Sequence, residues 1–135
     1  MRLLALAAAL ALTAAVLPGL ARAAEKIDGV WKGNYECAQG KTALTLTLDG
    51  DADGDIDGTF AFDFQGVSGS YRLRGVITPD GELKLNPTTW ISQPEGYGMV
   101  GLSGRAYDRS REGQPDALFG DVTDPSCGKF AAAKQ

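Results

Sequence analysis

The chain of 135 residues contains no histidine and only two cysteines, Cys37 and Cys127. The missing imidazole removes the commonest general base and the commonest metal ligand. Two cysteines without a histidine also make a poor zinc site. Basic residues are few, 13 against 17 acids, and form no stripe, so nucleic acid is not expected as a partner. Beyond the N-terminal segment there is no long apolar run, and no membrane span is expected once that segment is removed. "GVSGS" is no nucleophile elbow, no phosphate-cradling glycine loop occurs, and Asp63, Glu82 and Glu95 lie in no glycosidase motif. These absences lead to the expectation that the protein is not an enzyme.

What is present begins with an export signal. Met1 and Arg2 give a positive start, and "LLALAAALALTAAVL" follows as an apolar run of about 15 residues, too short to span a bilayer comfortably. Pro18 and Gly19 break it, and Ala21 and Ala23 flank Arg22 in the Ala-x-Ala pattern of a signal-peptidase site. Residues 1–23 are therefore expected to be a cleaved signal peptide, and residues 24–135 one domain, in the periplasm or secreted to the medium. In an oxidising compartment Cys37 and Cys127 are expected to pair, with free thiols or metal ligation as the alternative. The bridge would close a loop of about 90 residues, worth roughly 4–5 kcal/mol on the chain-entropy model.

The remaining sequence alternates with period two. "GVWKGNYEC" sends Trp31, Tyr35 and Cys37 one way and Lys32, Asn34 and Glu36 the other. Leu44, Leu46 and Leu48 share a face, as do Ile56, Phe60, Phe62 and Phe64, then Tyr71 and Leu73, then Leu83 and Leu85. "TTWIS", "YGMVGLSG", "ALFGDV" and "CGKF" follow, and turn residues separate the runs. Eight or nine short strands with one apolar face each predict an all-β fold, a small antiparallel up-and-down barrel of about eight strands closed by one disulfide. Closure leaves no bare edge and would bring the first and last strands together.

"LDGDADGDIDGTF" carries aspartates at every second position, Asp49, Asp51, Asp53, Asp55 and Asp57. An EF-hand needs a bidentate Glu where Phe60 stands and helices where strands are expected, so that reading fails. The stretch does resemble the nine-residue calcium loops of integrin-type propellers, which join two strands of a hairpin. On that resemblance Asp49, Asp51, Asp53, Gly54 and Asp57, with the Asp55 carbonyl, are candidate calcium ligands. A plain hairpin tip, built from the ordinary turn residues Asp and Gly, is the alternative. Calcium is thus a candidate structural ion and the one candidate cofactor.

Aromatic residues make up only 8% of the chain, so their placement matters. Trp90, Ile91, Pro94, Tyr97 and Met99 gather in "NPTTWISQPEGYGMVGL", the composition of a contact surface, with covering of one barrel end as the other reading. Gly29-x-Trp31 resembles the first strand of lipocalin-like and avidin-like barrels, where the Trp plugs one end. The lipocalin pattern also lays a late Arg on that Trp, and here only Lys129 is expected on the last strand. More of the chain, Gly29 to Leu48, Gly69 to Gly75, Leu85 to Gly104 and Leu118 to Cys127, resembles an uncharacterised family of small exported bacterial β-barrel domains, some of which occur beside caspase-like peptidase domains. That resemblance implies the fold and leaves the function open. "YEC", a late Cys127 and "SGRAY" are also similar to periplasmic inhibitors of c-type lysozyme, small barrels that carry Ser-Gly-x-x-Tyr on a loop entering the lysozyme cleft; Ser103, Gly104 and Tyr107 would be the matching residues. The sequence thus leads to an exported binding module for an unknown protein or small ligand, with Trp90, Ile91, Tyr97, Met99, Ser103 and Tyr107 as its candidate surface. A lysozyme inhibitor and a calcium-stabilised structural envelope protein are the alternatives.

Overall fold

The computed structural model describes residues 8–11 and 18–135. The apolar part of the expected signal peptide falls largely outside these residues. Among those described, no helix is long and apolar enough to cross a membrane.

Eight strands form one closed antiparallel barrel in chain order: β1 (Gly29–Cys37), β2 (Gly40–Gly50), β3 (Asp55–Phe64), β4 (Val67–Ile77), β5 (Glu82–Ser92), β6 (Leu102–Tyr107), β7 (Ala117–Val122) and β8 (Lys129–Lys134). The alternation read from the sequence is the alternation of burial. Trp31 and Tyr35 of β1, Leu44, Leu46 and Leu48 of β2, and Ile56, Phe60 and Phe62 of β3 all point inward and are buried. Some inward positions have to be glycine, because a neighbouring strand's backbone occupies the place of a side chain. A Cβ on Gly33 would lie 1.8 Å from the Ala131 carbonyl oxygen, and one on Gly104 would lie 2.1 Å from that of Phe119. Such glycines let strands bend tightly where a small barrel turns a corner.

The strand boundaries correct the sequence reading in two places. "TTWIS" is no separate strand but the second half of β5, which runs through Pro87 and is bulged twice against β4. Residues 97–101 are a loop, and the strand expected there is Leu102–Tyr107. The three alanines of "AAAKQ" form half of β8, and Phe130 to Lys134 pair with Tyr35 to Trp31 to close the barrel. Of these alanines Ala132 faces inward and is buried.

A helix that the strand alternation does not announce, α1 (Pro18–Ile27), lies across one end of the barrel. Its residues Ala23, Ala24 and Ile27 are buried. The Trp31 indole N–H donates to the Ile27 carbonyl at 2.9 Å, an Asp28 carboxylate oxygen accepts from the Gly50 amide at 2.6 Å, and Lys26 pairs with Asp108. Trp31 therefore does plug this end. The cation over its ring is Lys134, 5.6 Å from the centroid, and not Lys129, which instead pairs with Asp121 on β7.

Candidate binding site at the disulfide end

The other end carries the turns at 38–39 and 65–66, the loop 93–101 and the loop 123–128. Cys37 and Cys127 join there across 90 positions of sequence. The bridge runs from the end of β1 to the loop before β8, so it ties neighbours in the closed barrel but does not lie within the last strand itself.

Inside this end the aromatic side chains are stacked on one another. Phe60 lies flat on Tyr71 at 4.6 Å, Tyr35 meets Phe60 edge-on at 5.3 Å, and Trp90 meets Tyr71 edge-on at 5.3 Å. Phe60, Leu46, Leu85, Leu102 and Leu118 are completely buried, so side chains fill the barrel interior. The 93–101 loop closes the mouth over them. Tyr97 stacks on Phe62 at 5.3 Å, and the backbone of Val100 is held from below by Tyr71.

A groove of about 370 Å³ opens beside this loop, lined among others by Tyr35, Gln39, Tyr97, Met99, Ser126 and the disulfide. Gln39, which lines it, is tied to the barrel wall behind. The Gln39 amide donates to the Thr42 hydroxyl at 3.0 Å, and that hydroxyl donates to the Gly40 carbonyl at 3.1 Å. Thr42 is fully buried. Burial pushes the Tyr35 hydroxyl up to about 12; hydrogen bonding to Thr42 and Gln39 opposes the rise, and the neighbouring Tyr97 adds to it. Burial raises the Tyr71 hydroxyl still further, against the pull of its Val100 hydrogen bond.

The candidate surface residues separate into two places. Trp90, Tyr97 and Met99 gather at this mouth, half-buried, and Ile91 projects outward beside them, 52% exposed. This stretch covers the barrel end and leaves Ile91 exposed. Ser103 and Tyr107 are elsewhere, on the outer wall. The loop position expected from the inhibitor resemblance is corrected here: Ser103–Tyr107 lie within β6, paired with β7 along their length. Tyr107 stays exposed against Phe119, with ring centroids 5.7 Å apart.

The aspartate stretch is the hairpin tip between β2 and β3, at the helix end. The Asp51 carboxylate accepts from the amides of Asp53 and Asp55, at 2.9 and 3.1 Å. Asp49 and Asp57 face each other across the ladder, and Asp57 pairs with Arg74. Among the described residues no three acidic or cysteine side chains are arranged to hold a metal ion.

Sequence reading missed Phe62, Tyr71, Gln39 and Thr42 as parts of this end. The signal available for Tyr71 was a phenol among leucines on an inward face. For the loop it was Tyr97 set between Gly96 and Gly98.

The fold and site define a small disulfide-tied up-and-down β-barrel whose interior is filled and whose open mouth is covered by one loop. No family model and no curated protein matches the chain. Among solved structures it resembles a de novo designed fluorescence-activating β-barrel, at 14% identity and a TM-score of 0.55, over 84% of this chain and 97% of that one. This likeness shows the fold alone.

Proposed function

We propose that the protein is an exported, non-catalytic binding module of the periplasm or medium, and that its contact site is the disulfide end. The observation that carries this reading is the combination of a filled interior with half-buried Trp90, Tyr97 and Met99 beside an open groove. A filled barrel has no room for a ligand at its centre, so recognition moves to the mouth, where aromatic and thioether side chains lie at the surface. The designed barrel of the same fold is described as fluorescence-activating, which fits an architecture able to hold a ligand. The absence of histidine and the oxidised state of both cysteines favour binding over catalysis.

The test is hydrogen exchange of the disulfide-bonded protein with and without a concentrated envelope extract of the source cells. Protection should fall on residues 35–39, 93–101 and 124–127. Protection confined to the barrel wall, or none anywhere, would remove the assignment.

The lysozyme-inhibitor alternative keeps one supporting observation, the exposed aromatic pair of Tyr107 and Phe119 on the outer wall. Its site would be that wall and not the mouth.

A further inference from the structure

Tyr97 is held differently from the rest of its loop. Its ring lies nearly parallel to that of Phe62, at 17° and 5.3 Å, while Trp90 meets the same Phe62 edge-on at 6.4 Å. Phe62 is 96% removed from solvent, and Tyr97 is only half-buried. The backbone of Tyr97 is tied within the loop, its N–H donating to the Pro94 carbonyl at 3.3 Å and its carbonyl accepting from the Gln93 amide at 3.1 Å, while a Cβ added to Gly96 or Gly98 would meet nothing within 4 Å. Gly96 also has a φ of +80°, a conformation that glycine adopts without strain. Three residues on, Val100 is fixed by two hydrogen bonds to Tyr71. The loop thus has a fixed foot at Val100 and an aromatic arm whose backbone is held by bonds within the loop, between two glycines with open space around them.

We propose that Tyr97 is a built-in stand-in for a ligand, and that the slot it fills on Phe62 binds a small, flat, neutral phenol that enters by displacing the Tyr97 ring about Gly96 and Gly98. The inference rests on the reading of the disulfide end as the contact site. The class of ligand follows from what surrounds the slot. Phe62 supplies a flat face and Trp90 an edge, the two geometries in which an aromatic ring is stabilised. Tyr35 and Gln39 line the groove together with Tyr97, and the Tyr35 hydroxyl and the Gln39 amide supply hydrogen-bonding partners for a ligand hydroxyl. The charge is set by Asp124, which lines the groove with no lysine or arginine among the lining residues, so an aromatic carboxylate would meet repulsion without a counter-ion.

The probe is 2-naphthol, titrated by calorimetry into the disulfide-bonded wild type, Tyr97→Ala and Tyr97→Phe, with 2-naphthoate as the charged control. A site occupied by its own side chain binds weakly in proportion to the time it stands empty, so Tyr97→Ala should bind 2-naphthol about tenfold more tightly than wild type. Tyr97→Phe, which keeps a ring in the slot, should stay near wild type, and 2-naphthoate should bind worse to every form. In wild type saturated with 2-naphthol, the ring-to-ring Overhauser contact between Tyr97 and Phe62 should vanish and one between naphthol and Phe62 should appear. This second measurement decides the matter if Tyr97→Ala does not fold. Equal affinity of wild type and Tyr97→Ala, no binding by folded Tyr97→Ala, or a Tyr97–Phe62 contact that survives saturation overturns the inference. Exchange protection at the mouth by envelope extract, together with any of those results, would leave the contact site standing and remove only the phenol.

Discussion

The hydroxyl of Tyr71 donates to the carbonyl oxygen of Val100 at 2.6 Å and accepts from the amide of the same residue at 3.1 Å. One buried side chain on β4 thereby satisfies both main-chain groups of a loop residue 29 positions away. A loop that covers a barrel mouth has no ladder partner for its backbone, and a phenol rising from the core supplies one.

Tyr71→Phe should remove both bonds and leave Val100 unpaired beneath the loop. The expected cost is about 1–3 kcal/mol, because partly buried backbone groups lose their partner without gaining water. Urea unfolding measures the cost, and hydrogen exchange at Val100 should accelerate by more than at the strands. Unchanged exchange at Val100 would mean that the loop is held by other contacts.

Stability should fall on the alkaline side. The Tyr35 hydroxyl is raised to about 12 in the folded chain, and that of Tyr71 is raised as well, each mainly by burial. Below the unfolded value of about 10 both states carry the proton, so the contribution is fully present. Above it the unfolded chain gives up the proton first, and the contribution is lost as pH rises towards the folded values. Tyr35→Phe should flatten the decline between about pH 10 and 12. A wild type equally stable at both ends of that window would contradict the burial of these hydroxyls.

Replacing Cys37 and Cys127 together by serine should destabilise the barrel by about 4–5 kcal/mol, the chain-entropy value for a loop of this length. The unreduced protein should show no alkylatable thiol by mass spectrometry. Two reactive thiols in protein isolated from the envelope would refute the pairing in its native compartment.

At the β2–β3 tip, Asp51 and its neighbours make different predictions. Asp51→Ala should lower the melting temperature by a few degrees, since its carboxylate closes the turn on two amides. Asp53→Asn should leave stability unchanged. If the tip also takes calcium as an extracellular module does, with a dissociation constant of roughly 0.1–1 mM, about 10 mM calcium should raise the melting temperature and magnesium should do less. Identical melting with calcium and with chelator assigns the aspartates to the turn alone.

The outer wall has its own test. A c-type lysozyme inhibitor acting through Tyr107 should block the enzyme at stoichiometric amounts, and Tyr107→Ala should weaken the block. No inhibition at large molar excess removes that alternative.

Much of the barrel was legible in the sequence. Leu44, Leu46 and Leu48, or Ile56, Phe60 and Phe62, announce an inward face because a strand alternates with period two whatever it pairs with. The hairpin at Asp51 to Gly54 was legible for the same local reason, since Asp and Gly shape their own turn. The mouth was legible only in part. Trp90, Tyr97 and Met99 stood out by composition, whereas Ser103 and Tyr107 came from the inhibitor resemblance, whose motif belongs on a loop, and here they lie within β6.

The sequence by itself determined which residues face inward, where the chain turns and that closure should bring Cys37 and Cys127 together, because each follows from local periodicity, turn chemistry or the pairing of two thiols. Only the tertiary structure decided that the alanines of "AAAKQ" are the closing strand, that residues 97–101 leave the wall to cover the mouth, and that Tyr71 reaches Val100. An alanine run has no face of its own and becomes a strand only when β1 and β7 offer it both ladders. A loop follows the wall or leaves it according to whether side chains from distant strands, here Phe62 and Tyr71, hold it elsewhere.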